Sequence, residues 1–318
     1  MRLLFRVLGL LLMATAALLA VSRAPDRSVE SLVANWAPPP SDFVDLGGQL
    51  VHLRDQGPRH GAAPLVLLHG TSASLHTWEG WVNAIAARRR VITLDLPGFG
   101  LTGPWAGRYA GQRYDGETYA RFVLELLDQL GVQRFAVGGN SLGGEVAWRL
   151  AAMAPQRVER LILVDASGTV FKSQAAPLAW QFARVPGLGR VFEWVLPRTA
   201  VAQGVAGVYG DPSRVTPELV DRYFELTLRE GNRRALVERL RIARSGEDAN
   251  RISTLRLPTL ILWGGRDRLI PPSAGEDFAR RIPGSRLVVF PALGHVPHEE
   301  DPAQTAAPVM EFLGLDRS

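Results

Sequence analysis

The sequence contains no cysteine. This absence excludes disulfide bonds, thiolate metal ligands and a cysteine nucleophile, and it leaves the redox compartment undetermined. Lysine is nearly absent too, since Lys172 is the only lysine among 36 basic residues. No basic run is longer than Arg88-Arg89-Arg90, so the net charge of +5 is dispersed along the chain. A dispersed charge provides no basic patch for a phosphate backbone, and we therefore expect no nucleic-acid partner.

The chain has ample length and apolar content. It has 318 residues, of which 47% are hydrophobic and 21% are charged. This composition predicts a folded protein with a sizeable core and excludes global disorder. The length is sufficient for one large α/β domain with an insertion, or for two ordinary domains. The sequence predicts no oligomeric state.

The N-terminal segment, residues 1–22, is apolar after a basic start. Arg2 and Arg6 precede an uncharged run that continues to Ser22. A helix needs about 20 apolar residues to cross a bilayer, so we expect an uncleaved signal anchor that attaches the protein to a membrane. A cleaved signal peptide and a buried core helix are the alternatives. The early arginines predict a cytoplasmic N-terminus and an exported, periplasmic main domain, whereas cleavage would give a secreted protein.

The next segment, residues 23–41, ends in three prolines and is predicted to be a linker. Beyond it, "FVDLGGQLVHLRDQG" predicts a hairpin that turns at Gly47-Gly48. Buried strands are predicted at "PLVLLHG", "RVITLDLPGFG", "FAVGG" and "RLILVDASG", with helices at about 77–87, 116–130 and 142–153. Continuous apolar strands separated by helices are typical of a parallel sheet covered on both faces. We therefore predict an α/β fold with a mostly parallel, doubly wound sheet.

This alternation is interrupted over residues 170–250, which have helical patterns rich in aromatic residues and no clear buried strand. It resumes with "LPTLILWGGRD", a helix at about 273–281, "RLVVFPALGH" and a last helix at about 303–313. An insertion between two strands of one sheet is expected to cover their carboxyl ends, where ligands of α/β proteins bind. We thus predict a core formed by residues 42–169 and 251–318, with residues 170–250 as a helical lid.

One short stretch carries a chemical motif. Residues 139–143, "GNSLG", match the pattern G-x-S-x-G where a predicted strand turns directly into a predicted helix. A phosphate-binding turn is excluded, because no G-x-G-x-x-G can be placed here and no lysine follows. The position is the one that a nucleophile elbow requires, in which small residues make room for a strained serine. The motif therefore predicts that Ser141 is a nucleophile.

A serine nucleophile needs a base and a group that orients the base. His295 follows the last predicted strand, and Asp267 follows the strand before it. The order Ser141, Asp267, His295 is the order of the triad in hydrolases with a nucleophile elbow. We predict that Ser141 attacks, His295 transfers the proton and Asp267 fixes the imidazole tautomer. The N–H of Leu142, the residue after the nucleophile, is expected to be one oxyanion donor.

From about residue 43 to its end, the chain resembles the lid-bearing α/β-hydrolase superfamily. The segments "LLHGTSAS", "LDLPGFG", "GNSLGG", "LILVDA", "WGGRD" and "GHVPHEE" are similar to its signature segments and occur in the same order. This resemblance implies the α/β-hydrolase fold and the serine-hydrolase branch. It also implies a second oxyanion donor at Thr71, with Ser72 as the next candidate. Asp165 is an alternative acid, because some relatives place the acid at the end of "LILVDA".

Candidates for the substrate pocket are Asn140, Ser72, Trp78, Phe99 and Val296. Aromatic residues at such positions belong either to the core or to a pocket wall.

Other histidines receive structural interpretations. His69 is expected to be a structural hydrogen-bonding residue. His298 and Glu299 lie near the predicted base, but Pro297 prevents a helical metal pair with His295, and no metal site is expected.

The identity of the nucleophile narrows the chemistry. Haloalkane dehalogenases and epoxide hydrolases resemble the chain but need an aspartate where Ser141 stands. The meta-cleavage C–C hydrolases share the asparagine before the serine, but a tryptophan typically follows their catalytic histidine, where this chain has Val296. We therefore predict a carboxylic-ester hydrolase that acts on small to medium apolar acyl substrates through an acyl-enzyme and needs no cofactor. C–C hydrolysis of ring-fission products, and non-catalytic binding on the same fold, are the alternatives.

Overall fold

A single eight-stranded sheet organises the chain. A computed structural model describes residues 5–7, 9, 10, 13, 22–175, 180, 181, 185 and 188–316. The strands are β1 Ser41–Leu46, β2 Gln49–Gln56, β3 Leu65–Leu68, β4 Val91–Leu94, β5 Phe135–Asn140, β6 Val158–Val164, β7 Thr259–Gly264 and β8 Arg286–Phe290. Their order across the sheet is β1-β2-β4-β3-β5-β6-β7-β8. Only the β1–β2 and β2–β4 pairs are antiparallel, so the predicted α/β class with a mostly parallel sheet is confirmed.

Helices follow most strands and form the layers around the sheet. They are α1 Val29–Trp36, α2 Glu79–Ile85, α3 Gly116–Gln129, α4 Leu142–Met153, α5 Leu188–Trp194, α6 Arg198–Val208, α7 Pro217–Thr227, α8 Asn232–Ile242, α9 Ala249–Ile252, α10 Pro272–Arg281, α11 Pro297–Glu300 and α12 Pro302–Leu313. The helix predicted at 77–87 is divided in two, because a 3-10 turn over Leu75–Trp78 precedes α2.

Strand β3 shows why the apolar runs are continuous. Leu65 and Leu67 belong to one buried cluster, whereas Val66 and Leu68 belong to another on the opposite face. Both faces of the central strands are therefore covered, as expected of a parallel sheet. The parallel register brings the carboxyl ends of β3, β5, β6, β7 and β8 to one edge of the sheet. The loops that follow these strands consequently lie close together.

Helices α5 to α9 lie between β6 and β7 in the chain. The described part of residues 170–250 contributes no strand to the sheet. Helix α6 lies close to the strand ends: Val208, its last residue, accepts a hydrogen bond from the His295 N–H at 2.7 Å. The insertion thus contacts the loop that carries a predicted site residue.

The segment over residues 23–41 differs from the predicted linker. It contains helix α1, and its Leu32 is fully buried in a cluster with Leu226 of α7. The Nε1–H of Trp36 donates to Glu225 at 2.7 Å, which also attaches α1 to the insertion. The linker prediction was wrong because the proline run obscured a short amphipathic helix that precedes it.

The predicted signal anchor or signal peptide, residues 1–22, lies for the most part outside the described residues. Within the described residues, no helix has both the length and the apolar character needed to cross a bilayer.

Candidate active site

Ser141 lies on the sharp turn between β5 and α4. Its backbone angles, φ 53° and ψ −113°, are outside the regions that non-glycine residues normally adopt. Glycines make this turn possible, since a Cβ on Gly139 would lie 2.1 Å from the Gly143 carbonyl oxygen. A Cβ on Gly143 would lie 2.0 Å from the Leu68 carbonyl oxygen. The turn therefore holds the Ser141 side chain at the end of a central strand and at the N-terminus of a helix.

Asp267 and His295 follow β7 and β8 and are hydrogen-bonded to each other. The distance from His295 Nδ1 to Asp267 Oδ2 is 2.7 Å. Asp267 Oδ1 accepts from the backbone N–H groups of Leu269, at 2.8 Å, and Ile270, at 3.0 Å. Because Nδ1 donates to a carboxylate, Nε2 of His295 keeps its lone pair. His295 and Ser141 line the same cavity, so the structure brings the three predicted residues together.

The backbone of His295 is fixed from two directions. The Asn140 side-chain amide donates to the His295 carbonyl at 2.9 Å and to the Val164 carbonyl at 3.2 Å. The His295 N–H donates to Val208 of the insertion. Asn140 lines the cavity, as predicted, but its amide N–H groups are directed to the backbone.

Glu300 is a residue to which the sequence analysis assigned no role. It is buried, and its carboxylate accepts from three backbone N–H groups: Gly294 at 2.8 Å, Gly210 at 2.9 Å and Asp211 at 2.8 Å. It therefore joins the loop of His295 to the segment that follows α6. The signal that could have identified it is the pair of adjacent acidic residues soon after the histidine in "GHVPHEE".

Asp165, the alternative acid, lies beside Asp267 at the end of β6. One carboxyl oxygen of Asp165, one of Asp267 and a ring nitrogen of His295 all lie within 4.8 Å of one another. They are the one trio among the described residues with the spacing to ligate a cation, but His295 Nδ1 already donates to Asp267 rather than to Asp165. Burial and the neighbouring Asp267 carboxyl raise the pKa of Asp165 well above its usual range.

The predicted oxyanion donors are backbone groups next to Ser141. Leu142 is the first residue of α4, and Thr71 follows β3 and lines the cavity. A Cβ on Gly70 would lie 3.2 Å from Ser141 Cβ, so the Thr71 loop approaches the serine closely. Neither the Leu142 N–H nor the Thr71 N–H donates to another described residue. Both are therefore free to donate to a bound oxygen.

A cavity lies between these residues and the insertion. Together with the open solvent at its mouth, this space measures about 840 Å³. Apolar side chains of α5, α6 and their flanking residues provide much of its wall: Phe192, Leu196, Ala200, Val201, Val205 and Val208. Tyr223, Thr227 and Ser72 add hydroxyl groups, and none of its described lining residues is a lysine, an arginine or an acidic residue.

The predicted pocket residues divide into three groups. Asn140, Ser72 and Val296 line the cavity. Phe99 lines a smaller neighbouring cavity of about 240 Å³, which shares Ser72 with the larger one. Trp78 lines neither of them: it is fully buried in the core, 4.0 Å between ring centroids from His298, and the prediction for it was wrong. Its apolar position at the end of the 3-10 turn is equally typical of a core residue, so the sequence pattern did not separate core from pocket wall.

His69 and His298 are hydrogen-bonded within the core. His69 Nδ1 donates to the Gly70 carbonyl, at 2.7 Å, and its Nε2 accepts from the Leu96 N–H at 2.9 Å. Burial lowers the pKa of His69, so this ring is a neutral structural group, as predicted. His298 Nε2 lies 3.0 Å from Thr77 Oγ1, and burial also lowers the pKa of His298 well below its usual range.

A second hydrogen-bonded set of serine, histidine and aspartate lies elsewhere in the protein, at positions that no sequence motif marks. His52 Nδ1 is 2.7 Å from Asp95 Oδ2, and His52 Nε2 is 3.0 Å from Ser41 Oγ. Ser41 lies in the regular strand β1, its oxygen accepts from Arg54 Nε at 2.9 Å, and it does not line the large cavity. Asp95 also accepts from the N–H groups of Leu75 and Leu101. This second set of hydrogen bonds therefore attaches the β1–β2 hairpin and the loop after β4 to the core.

Comparisons with known proteins agree with this geometry. The family described as the alpha/beta hydrolase fold matches residues 63–302. The chain is 30% identical over 267 residues to 2-hydroxy-6-oxo-2,4-heptadienoate hydrolase of Pseudomonas putida, which covers 80% of this chain and 88% of that protein. It is also 31% identical over 279 residues to the dihydrolipoyllysine-residue acetyltransferase component of the acetoin cleaving system of Pseudomonas putida. That match covers 86% of this chain and 70% of that protein. A solved membrane phospholipase A, a bacterial virulence factor, superimposes with a TM-score of 0.72 and 25% identity, covering 100% of this chain and 99% of that one.

Proposed function

Because the chain belongs to the α/β-hydrolase fold family, we propose that it is a serine hydrolase that cleaves carboxylic esters through an acyl-enzyme on Ser141. The observation that carries the proposal is the strained serine at the end of β5, which shares an apolar cavity with the hydrogen-bonded pair of His295 and Asp267. Backbone strain of this kind costs on the order of 1–3 kcal/mol and is concentrated at functional sites.

The proposed reaction uses groups that the cavity already presents. His295 Nε2 takes the Ser141 proton as Oγ attacks the carbonyl carbon, and Asp267 stabilises the resulting imidazolium. The N–H groups of Leu142 and Thr71 donate to the oxyanion of the tetrahedral intermediate. His295 then returns the proton to the departing alcohol, which leaves an acyl group on Ser141. Water activated by His295 attacks this ester and releases the acid.

The substrate class is proposed from the cavity wall. Apolar side chains surround the position of the acyl group, and the described wall has no cation to pair with a carboxylate. Burying an unpaired carboxylate there is costly, whereas burying a hydrocarbon chain is favourable. We therefore expect neutral acyl groups of small to medium size.

A second candidate is C–C bond hydrolysis, which the likeness to 2-hydroxy-6-oxo-2,4-heptadienoate hydrolase favours. Asn140 was the residue that suggested it in the sequence. However, the Asn140 amide donates to two backbone carbonyls, including that of His295, which explains the asparagine without any reference to substrate. A dienoate would also place its carboxylate against the apolar wall. These observations make ester hydrolysis the better-supported proposal.

Location is proposed from the sequence. The apolar segment 1–22 would anchor the protein in a membrane and leave its main domain exported, and the likeness to a membrane phospholipase A spans the whole chain. Phospholipid acyl esters therefore belong among the candidate substrates. Intact mass of membrane-purified protein tests this proposal: the full-length mass is expected, and loss of the first two dozen residues would contradict the anchor.

The test of function is hydrolysis of p-nitrophenyl esters from acetate to palmitate, of a phosphatidylcholine and of a ring-fission dienone. We expect turnover of the esters by the protein and by Ser41→Ala, and loss of about 10⁴-fold or more in Ser141→Ala. Ser41→Ala is the matched control, because Ser41 also contacts a histidine that is bonded to an aspartate. Turnover of the dienone alone would favour C–C hydrolysis. A folded protein that turns over no substrate would favour a binding function.

A further inference from the structure

Asp165 has one carboxyl oxygen without a partner, in the most buried part of the site. The residue is completely buried and has a φ of 44°. Its Oδ1 accepts from the Gly264 N–H at 2.9 Å, but no described group donates to Oδ2. A buried carboxylate oxygen without a donor is costly. If the carboxyl group keeps its proton, the same oxygen becomes a donor and needs an acceptor instead.

Asp267 supplies such an acceptor. An ionised carboxylate has about four lone-pair positions. Three described groups donate to the Asp267 carboxylate. They are the ring Nδ1–H of His295 and the backbone N–H groups of Leu269 and Ile270. One position is left, on Oδ2, and a carboxyl oxygen of Asp165 lies within 4.8 Å of a carboxyl oxygen of Asp267.

The following inference rests on the proposed function, because it assigns a role within the proposed triad. We propose that Asp165 is a neutral carboxylic acid whose O–H donates to the Asp267 carboxylate, and that it is a positioning residue for the histidine–aspartate pair. With this bond, every acceptor position of Asp267 is occupied, and its carboxylate cannot rotate away from His295.

The charges around Asp165 favour the neutral form. Burial disfavours ionisation most, and the negative charges of Asp267 and Glu300 act in the same direction, while the Gly264 N–H acts against it. Together they raise the pKa of Asp165 well above its usual range. Two adjacent carboxyl groups in a buried site share one proton for the same reason.

A single negative charge also suits the proposed chemistry. His295 must be neutral before the attack and cationic during it. One carboxylate beside the ring is sufficient to stabilise that cation. The proton on Asp165 keeps a second, unpaired negative charge out of this buried site.

The experiment compares Asp165→Asn with Asp165→Ala in the full chain. An asparagine amide can still donate to Asp267 and accept from Gly264, whereas alanine can do neither. We expect Asp165→Asn to keep kcat within about threefold, and Asp165→Ala to lose about 10- to 100-fold in kcat with little change in KM, as for a lost hydrogen bond to a charged group. A merely structural role would lower the folded fraction of both variants and leave the kcat of the folded protein unchanged.

Infrared difference spectroscopy gives a readout that does not depend on catalysis. Wild type minus Asp165→Asn is expected to show the C=O stretch of a protonated carboxylic acid at pH 7. The exposed control Asp42→Asn should show only a carboxylate band. Absence of the acid band would overturn the proposal, as would a folded Asp165→Ala with full kcat, or an Asp165→Asn as impaired as Asp165→Ala. If the protein hydrolyses no ester but shows the acid band, the proposed function fails and the neutral Asp165 stands.

Discussion

At the scale of single residues, a hydrogen-bonded serine, histidine and aspartate do not by themselves make a nucleophile. Ser41 contacts His52, and His52 contacts Asp95, in the order in which a catalytic serine, histidine and acid are connected. Ser141 differs because its backbone is strained, its side chain stands at a helix N-terminus, and it faces a cavity. The oxygen of Ser41 instead accepts from Arg54 and lies within a regular strand. Environment therefore separates the two serines, and composition does not.

A residue-scale prediction concerns Asp165 and pH. Its pKa is raised by folding, so the native state keeps a proton that the unfolded chain releases near pH 4. The native state then binds more protons than the unfolded state, and this group lowers stability as the pH rises from about 4 towards the folded pKa. Asp165→Asn removes that dependence. We expect the melting temperature of Asp165→Asn, relative to that of wild type, to increase as the pH rises through this window. Thermal melts from pH 4 to 9 measure this difference. A difference that stays constant at all pH values would contradict the expectation.

At the scale of elements, the G-x-S-x-G turn was predictable because few other structures place a serine between glycines where a buried strand turns directly into a helix. A buried strand, closely spaced glycines and a following helix predicted the elbow, and the order of strand ends predicted the loops of Asp267 and His295. The structure placed these loops together because the parallel strands end at one edge of the sheet.

Other features of the site could not be predicted from the sequence. Trp78 and Phe99 are apolar positions that suit a core as well as a pocket, and only tertiary packing separated them. The role of Asn140 depends on which carbonyl groups its amide reaches. The role of Glu300 depends on three backbone N–H groups, one in the loop that precedes it and two in the insertion. Such contacts leave no periodic pattern in the chain.

One element-scale prediction tests the elbow. Gly143→Ala would place a Cβ 2.0 Å from the Leu68 carbonyl oxygen, which is backbone and cannot move aside easily. We expect it to lower the free energy of unfolding by about 3 kcal/mol, in the upper range for overpacking. Gly207→Ala on α6 is the control, since nothing lies within 4 Å of its Cβ. The free energy of unfolding of Gly207→Ala, measured in urea, should stay the same or rise by up to about 1 kcal/mol. Equal losses of stability at both positions would contradict the packing described for the turn.

A second element-scale prediction tests the cavity wall on α6. Gly204 lines the cavity, and nothing lies within 4 Å of a Cβ placed there, so Gly204→Phe should fill the space with its ring. We expect kcat/KM for longer acyl esters to fall by about tenfold or more, with acetyl esters affected by less than about threefold. Gly207→Phe adds the same ring on the same helix outside the cavity lining and should leave the chain-length preference unchanged. An unchanged preference in Gly204→Phe would argue against this cavity as the acyl site.

At the scale of the whole molecule, the insertion is part of the site and not only its cover. The His295 N–H donates to Val208, and Glu300 accepts from Gly210 and Asp211 on one side and from Gly294 on the other. The loop that carries the proposed base is therefore held by the end of α6 and the residues that follow it. The parts of the chain before and after residues 170–250 cannot be described independently of it.

This coupling predicts the effect of Glu300→Gln. An amide nitrogen cannot accept, so at least one buried backbone N–H loses its partner, at about 1–3 kcal/mol of stability. Because Gly294 precedes His295, we expect kcat to fall together with the melting temperature. Glu311→Gln, an exposed glutamate on α12 that pairs with Arg286, is the control and should change neither. Lower stability with an undiminished kcat would show that the loop holds its position without the insertion.

The central claim is that Ser141 is the nucleophile of a serine hydrolase. Its most direct test is peptide mass mapping of the full-length protein after reaction with a fluorophosphonate, which phosphonylates activated serines. The account predicts one adduct per chain, on the peptide that contains Ser141, and none on the peptide that contains Ser41. An adduct on Ser41, or a folded protein that hydrolyses esters while Ser141 stays unmodified, would contradict it.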